Sequence, residues 1–356
     1  LPSTDRILAW APLLVGLGFL ALLVSAQPGR ALRGQNDFIQ LYAGAQLASG
    51  PDLYSRQANL DLIQRTHGFT METVVYTRPP FYAFLLQPLG WLPYPVAYGL
   101  YSLASFVAMV WFCWRFAEVR WLAAMGLPLM VTLASGQDTG FVLATLGGAI
   151  LLLRAGRDFA AGLLLTLLAI KFHLFLFLPL ALLVHRRWRV LAGGALGSFG
   201  LVLLRVDLIP EYWKVLRDPW IHYSATHMPN LHGLVTNLGG GVWLEGILIG
   251  ILGIGFVWFG LKTKQFEPVL GVGLLCGMLV SYHSGIADDI VLYAAFVLLP
   301  MARGMGFATL SPIGFVCVML GPPYSMVVPV LILVWIGIVL IGSGTMEKMS
   351  GRSAAW

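Results

Sequence analysis

The sequence predicts an all-α polytopic membrane protein, a bundle of about twelve transmembrane helices, and three observations predict it. Of the 356 residues, 58% are hydrophobic and only 11% are charged. A soluble domain carries about a quarter charged residues, so a globular cytosolic protein is excluded. Mean hydropathy is +0.81. The apolar runs recur from end to end and are long and Leu-rich rather than alternating, which is the pattern of membrane helices and not of an outer-membrane barrel.

The first run, 7–27, is too long for a signal-peptide core and lacks a small-residue cleavage site, so it reads as a retained helix. Further candidate spans are 94–114, 121–134, 139–153, 158–184, 190–207, 241–261, 268–282, 288–302, 306–320 and 325–343. Several fall short of the roughly 20 residues needed to cross hydrocarbon. Such short helices flank water-filled cavities, where irregular backbone is tolerated. A further piece, 79–92, is bracketed by Pro79-Pro80 and Pro93.

Basic clusters set the orientation. Arg115 with Arg120, Arg154 with Arg157, the 185–189 run, Lys262 with Lys264, Arg303, and Lys348 with Arg352 all lie in short connections. Keeping them cytosolic makes 79–92 re-entrant or surface-lying and breaks 158–184 near Lys171-Phe172-His173. A rival topology lets 79–92 cross and leaves 158–184 whole, but it exports two basic pairs. In the preferred arrangement 28–78, 135–138, 171–173, 208–240 and 281–285 share the outer face. The chain then reads as one domain, 1–356, with a first outer loop at 28–78 and a second at 208–240. The net charge of +6 reports cytosolic anchors rather than a nucleic-acid partner, and the partners are membrane lipids. Cys113, Cys276 and Cys317 sit in apolar runs without metal-ligand spacing and read as packing thiols.

The polar residues of the outer face carry the chemistry. Asp37, just past the first span, reads either as the cap of a short amphipathic helix over 38–47 or as a general base. Lys171 and His173 interrupt an apolar run, where a lysine costs about 2.5–3.5 kcal/mol to insert; snorkelling competes with an anion contact. Arg78, before Pro79-Pro80, is either an interface anchor or a phosphate contact, for which its fork is suited. Gln137, in a Gly-containing turn, could bond sugar hydroxyls, as could Asp138. His283 could pair with Asp37 or hold a phosphate as imidazolium. Asp288 and Asp289 open a helix and read as dipole-favoured structural residues. The aromatics and histidines of 208–240, among them Tyr212, Trp213, Trp220, His222 and Tyr223, read as interfacial anchors or as a lid that stacks on sugar. There is no Walker loop and no dinucleotide Gly motif.

The order Asp37-Phe38, Tyr42-Ala43-Gly44, Gly50-Pro51-Asp52-Leu53-Tyr54 and Tyr76-Thr77-Arg78-Pro79-Pro80-Phe81 resembles the first outer loop of the polyprenol-phosphate-sugar-dependent glycosyltransferases of family 87. The similarity continues through Gly136-Gln137, Ala161-Gly162-Leu163-Leu164-Leu165 and Lys171 to Arg186-Arg187-Trp188-Arg189. It departs at Phe172, where the family carries Pro after the lysine. The resemblance implies a GT-C bundle with an outward-facing cavity. It implies inverting transfer of a sugar, mannose in the first place, from a polyprenyl-phosphate donor to a lipid or glycan acceptor in glycolipid biosynthesis. The active side is the extracytoplasmic face of the plasma or inner membrane. In that reading Asp37 and His283 are catalytic, and Arg78, Lys171, His173, Gln137, Tyr42 and Tyr76 contact the donor phosphate or the substrate. No cofactor or metal is demanded, since a monophosphate donor needs less charge neutralisation than a diphosphate. A transporter or lipid flippase would explain the short helices equally well, but it calls for repeat symmetry that the sequence lacks.

Overall fold

The computed structural model describes residues 29, 31–68, 75–116, 126–218, 224–299 and 312–353. The expected first span, 7–27, lies outside the described residues, as do Arg120, Arg303, Trp220, His222 and Tyr223. Among the described residues all regular structure is helical, so the chain is a helical membrane protein. Among the described residues four helices are long and apolar enough to cross a membrane, or five if the bent pair Trp188–Leu204 and Val206–Leu216 is one span.

Between 38 and 90 the described residues form three short α-helices, the first packed against both others. Helix α1 (Phe38–Leu47) buries nearly its whole circumference. Helix α2 (Arg56–His67) is polar; it is capped by Ser55, whose hydroxyl accepts from the Ala58 amide at 3.3 Å, and it stops at Gly68, φ 71°. Helix α3 (Pro80–Gly90) has Pro at its first turn, where no amide hydrogen is needed, and is too short to cross a bilayer. It packs on α1 through Gly90, where a Cβ would lie 2.9 Å from the Ala45 backbone. This answers the expectation for 79–92: a short helix lying under the loop.

Helix α4 (Tyr94–Phe116) is a full-length span of 23 residues. Helices α5 (Gly126–Ser135) and α6 (Thr139–Arg154) follow, joined by a tight turn at Gly136, φ 68°. The expected break in 158–184 is present. Helix α7 (Asp158–Leu165) runs into a 3-10 stretch, Thr166–Phe175, in which Lys171 leaves helical geometry (φ −131°, ψ 48°) before α8 (Phe177–Val184) resumes. Helix α9 (Trp188–Leu204) crosses α7 with Gly162 and Gly193 at the contact; a Cβ on Gly162 would collide with the Val190 carbonyl oxygen, and one on Gly193 with that of Phe159. Such close backbone approach is the membrane helix-packing device in which small residues replace the hydrophobic drive. Gly162→Ala is therefore expected to cost about 1–3 kcal/mol through overpacking, read as a lower melting temperature in detergent, whereas Gly200→Ala, open around its Cα, should leave it unchanged.

At Arg205 the chain turns by 82° into α10 (Ile209–Leu216), which buries Tyr212 and Val215 and exposes Trp213 and Lys214. Arg205 fastens this elbow to the chain after α1: its guanidinium donates to the carbonyls of Ala48 and Gly50 and to Asp207. Further on, α11 (Leu231–Asn237) is capped by the Asn230 side chain. Helix α12 (Val242–Lys262) turns Trp243, Ile247, Ile251 and Ile254 outward, and α13 (Phe266–Val280) is buried almost all round, as a central bundle helix must be. The 3-10 turn Ile286–Val291, α14 (Leu292–Leu298), α15 (Pro312–Leu320) and α16 (Val327–Ser353) complete the described bundle. One large apolar core joins Phe112, Leu143, Leu174, Leu275, Phe296 and Trp335; a second, rich in tyrosine, is built around α1 and α3. Cys113 and Cys276 are buried free thiols, and Cys317 is half-buried.

Candidate active site

Asp37 occupies the N-cap position of α1, yet its side chain makes no capping hydrogen bond. Of the two readings of this carboxylate, the cap is therefore not adopted. The loop is held from both sides. Asn36 Nδ2 donates to the Ala134 carbonyl at 3.3 Å, while its Oδ1 accepts from Tyr94 Oη at 2.8 Å. Gly136 supplies the left-handed turn and the space for Phe38 to close on it. The turn delivers Gln137 to Asp37: Gln137 Nε2 donates to Asp37 Oδ2 at 2.5 Å. Both side chains are half-buried.

Behind them lies a buried charged hub, built where the helix breaks. Lys171, 3% exposed, donates its ammonium to Gln137 Oε1 at 3.0 Å and to Asp288 Oδ1 at 2.6 Å, and it forms an ion pair with Asp138 Oδ1 at 3.1 Å. The ammonium is thus held inside the protein by these groups rather than snorkelling. Asp288 Oδ2 also accepts the Gly285 amide at 2.8 Å, so its expected helix-start role is real but is half of what it does. Asp138 Oδ2 accepts from Arg78 Nε at 2.6 Å. The guanidinium is 18% exposed, and among the described residues its two terminal nitrogens carry no protein partner. Burial raises the Asp37 carboxyl above its ordinary value, opposed by the Gln137 hydrogen bond and by the charges of Lys171 and Arg78. For Asp138 the desolvation is outweighed by Arg78 and Lys171, which hold that carboxyl below its ordinary value.

The other residues read from the sequence divide into neighbours and supports. His173 is buried next to the hub, its ring 5.1 Å from Tyr282 and 6.2 Å from His283. Asp37 takes a side-chain hydrogen bond from Gln137. Tyr76 is fully buried, with its hydroxyl on the Pro79 carbonyl at 3.0 Å, and Tyr54 donates to the Arg78 carbonyl at 2.7 Å. These two phenols fix the backbone that carries Arg78. Gly44 makes room for the Tyr76 ring, which a Cβ there would strike. Tyr42 donates to the Leu92 carbonyl at 2.7 Å and packs edge-on against Tyr94. Its hydroxyl and that of Tyr76 are thus engaged with backbone rather than open to a ligand.

An apolar pocket of about 290 Å³ is walled by Pro79, Phe81, Phe172, Leu201, Ile209 and Tyr212 among others, with Arg205 as its charged lining residue. Pro79 follows Arg78 in the chain and Phe172 follows Lys171, so the pocket wall and the cations are consecutive residues. Phe172, where the sequence departs from the family pattern, is a wall residue here. Sequence reasoning missed the counter-ions Asp138 and Asp288 as a pair sharing Lys171, and Arg205 as the loop clamp. The available signal was the lysine itself, since a charge in an apolar run requires a partner and carboxylates within apolar stretches are few in this chain.

The described residues form a helical membrane protein that gathers carboxylates, an amide and two cations at an interrupted helix. The sequence model of glycosyltransferase family 87 matches residues 76–285, more than half of the chain, and the chain belongs to that family. The matched segment contains Arg78, Gln137, Lys171, His173 and His283, while Asp37, Tyr42 and Asp288 lie outside it. No curated protein and no solved structure matches the chain. The protein is a multi-pass membrane glycosyltransferase.

Proposed function

We propose that the protein moves a sugar, mannose being the one the family resemblance implies, from a polyprenyl-phosphate donor to a hydroxyl of a lipid or glycan acceptor. The acceptor oxygen attacks the anomeric carbon from the face opposite the phosphate, the carbon–phosphate-oxygen bond breaks, and polyprenyl phosphate leaves. Asp37 takes the acceptor's proton, and the single displacement inverts the anomeric configuration. One observation carries the reading: an apolar pocket is lined by Pro79 and Phe172, the residues that follow Arg78 and Lys171 in the chain, and an uncapped, half-buried carboxylate is tied to Lys171 by Gln137. A lipid chain fits such a pocket, and its phosphate would then meet Arg78, whose terminal nitrogens offer a planar fork to phosphate oxygens.

The remaining roles follow from position. Lys171 orders the carboxylates and contributes positive potential where the leaving phosphate gathers charge. His283, next to His173 and Tyr282, is placed on the donor side rather than with the base. Tyr76 and Tyr42 support the loop that presents Arg78 and Asp37. With the basic clusters kept cytosolic, this site would lie on the extracytoplasmic face of the plasma or inner membrane, in a GT-C-like bundle of about twelve crossings with an outward-facing cavity. The single domain would span the chain, with 28–78 and 208–240 as its outer loops.

Arg78→Ala is the experiment. It removes a charge-assisted contact of about 1.5–3 kcal/mol, so the donor KM should rise about 10- to 100-fold, with the acceptor KM near wild type. Leu201→Trp, which fills the pocket, should raise the donor KM more for long-chain than for short-chain polyprenyl phosphates. Unchanged donor KM in both variants would remove the donor assignment.

A further inference from the structure

We propose that Gln137 is a positioning residue that bridges Lys171 to Asp37 and keeps the base ionised and aimed, rather than a ligand for sugar hydroxyls. The inference rests on the reading of Asp37 as the base. It starts from the orientation of one amide. An ammonium can only donate, so the Gln137 atom that faces Lys171 must be Oε1, 3.0 Å away. The other end is then fixed as Nε2, a donor, and the Asp37 oxygen 2.5 Å from it must accept. The usual ambiguity of a glutamine flip is removed by the charges at its two ends. A donor at this distance from a carboxylate is in the charge-assisted range.

The bridge has a rigid base. Lys171 is held by Asp138 and Asp288 in addition to Gln137, so it cannot swing away to another partner. Gln137 itself follows Gly136 in the turn, and its backbone amide bonds the Thr132 carbonyl at 3.0 Å. Asp138 and Asp288 pair directly with the cations Arg78 and Lys171, whereas Asp37 is joined to Lys171 through Gln137.

The groups that face Asp37 come from each neighbouring element: Gln137 and Asp138 from the turn, Lys171 from the 3-10 break, Arg78 from the segment before α3, and Tyr94 from α4, which stands 4.7 Å ring to ring from His67 of α2. Burial and Asp138 favour the neutral acid, while Gln137, Lys171 and Arg78 favour the carboxylate. Of these, Gln137 is the one in direct hydrogen-bond contact with Asp37.

The test is the pH dependence of kcat/KM for wild type, Gln137→Met and Gln137→Glu with a polyprenyl-phosphate sugar as donor. Loss of the amide donor disfavours the ionised base, so the acid limb should move to higher pH by about one unit in Gln137→Met. The rate lost at neutral pH should return as the pH is raised. Gln137→Glu keeps the size and the Lys171 contact but sets a like charge against Asp37, so its limb should move up at least as far; it gives a second reading independent of the methionine variant's folding. A uniformly lower rate with an unshifted limb would mean that Gln137 only packs. A raised KM with an unshifted limb would mean that it binds sugar. Either result overturns the inference while leaving Asp37 as the base, provided Asp37→Asn is inactive. A fully active Asp37→Asn would instead remove the reading on which the inference rests.

Discussion

Asp37→Asn should lower kcat by about 10²–10⁴-fold, the usual contribution of a positioned general base, with both KM values near wild type. The geometry separates this loss from misfolding. Asp37 makes no capping bond to α1, which is held instead by Asn36 on Ala134 and Tyr94 and by burial of its apolar face. An asparagine keeps the shape and can still meet Gln137, so the variant should insert and melt like wild type. The pH profile gives a second check. Burial raises the Asp37 carboxyl above its ordinary value, and the base acts only when ionised. Activity should therefore fall as the pH drops through that raised value, above the ordinary carboxylate range near 4. An acid limb that persists in residual Asp37→Asn turnover would assign the titration to another group.

Lys171→Met should be the most destabilising single change in the site. It leaves Asp138 and Asp288, both buried, without their shared ammonium, and breaking a buried ion pair by removing one partner costs about 3–5 kcal/mol. A melting temperature lowered by many degrees in detergent would report it. The companion Lys171→Met/Asp288→Asn should recover part of the loss, because the orphaned charge is then neutral. If Lys171→Met melts as wild type and loses only donor affinity, the lysine is a phosphate ligand and the hub is wrongly read.

The sequence made the helical class legible through apolar length, and it made the short α3 and the break at Lys171 legible because keeping the basic clusters on one side of the membrane left no other way to count the crossings. The partners of Lys171 were not legible. Asp288 lies 117 positions away and meets the lysine only through helix packing. Asp288 read as a helix-start residue because that half of its role, the bond to the Gly285 amide, is local. Likewise His283 had two candidate partners in the sequence, and only the folded arrangement sets it beside His173. Gln137 was singled out for its turn, yet its place between a cation and a carboxylate depends on three segments converging.

The central claim is that this glycosyltransferase takes its sugar from a lipid phosphate and uses Asp37 to activate the acceptor. Purified protein in lipid nanodiscs, given a synthetic polyprenyl-phosphate mannose of known anomeric configuration and a glycolipid acceptor, tests it most directly, with Asp37→Asn alongside and a nucleotide sugar as the competing donor. The expected result is transfer from the lipid donor by wild type with inverted configuration, and almost none by the variant. Transfer from the nucleotide sugar alone, retained configuration, or equal turnover by Asp37→Asn would contradict it.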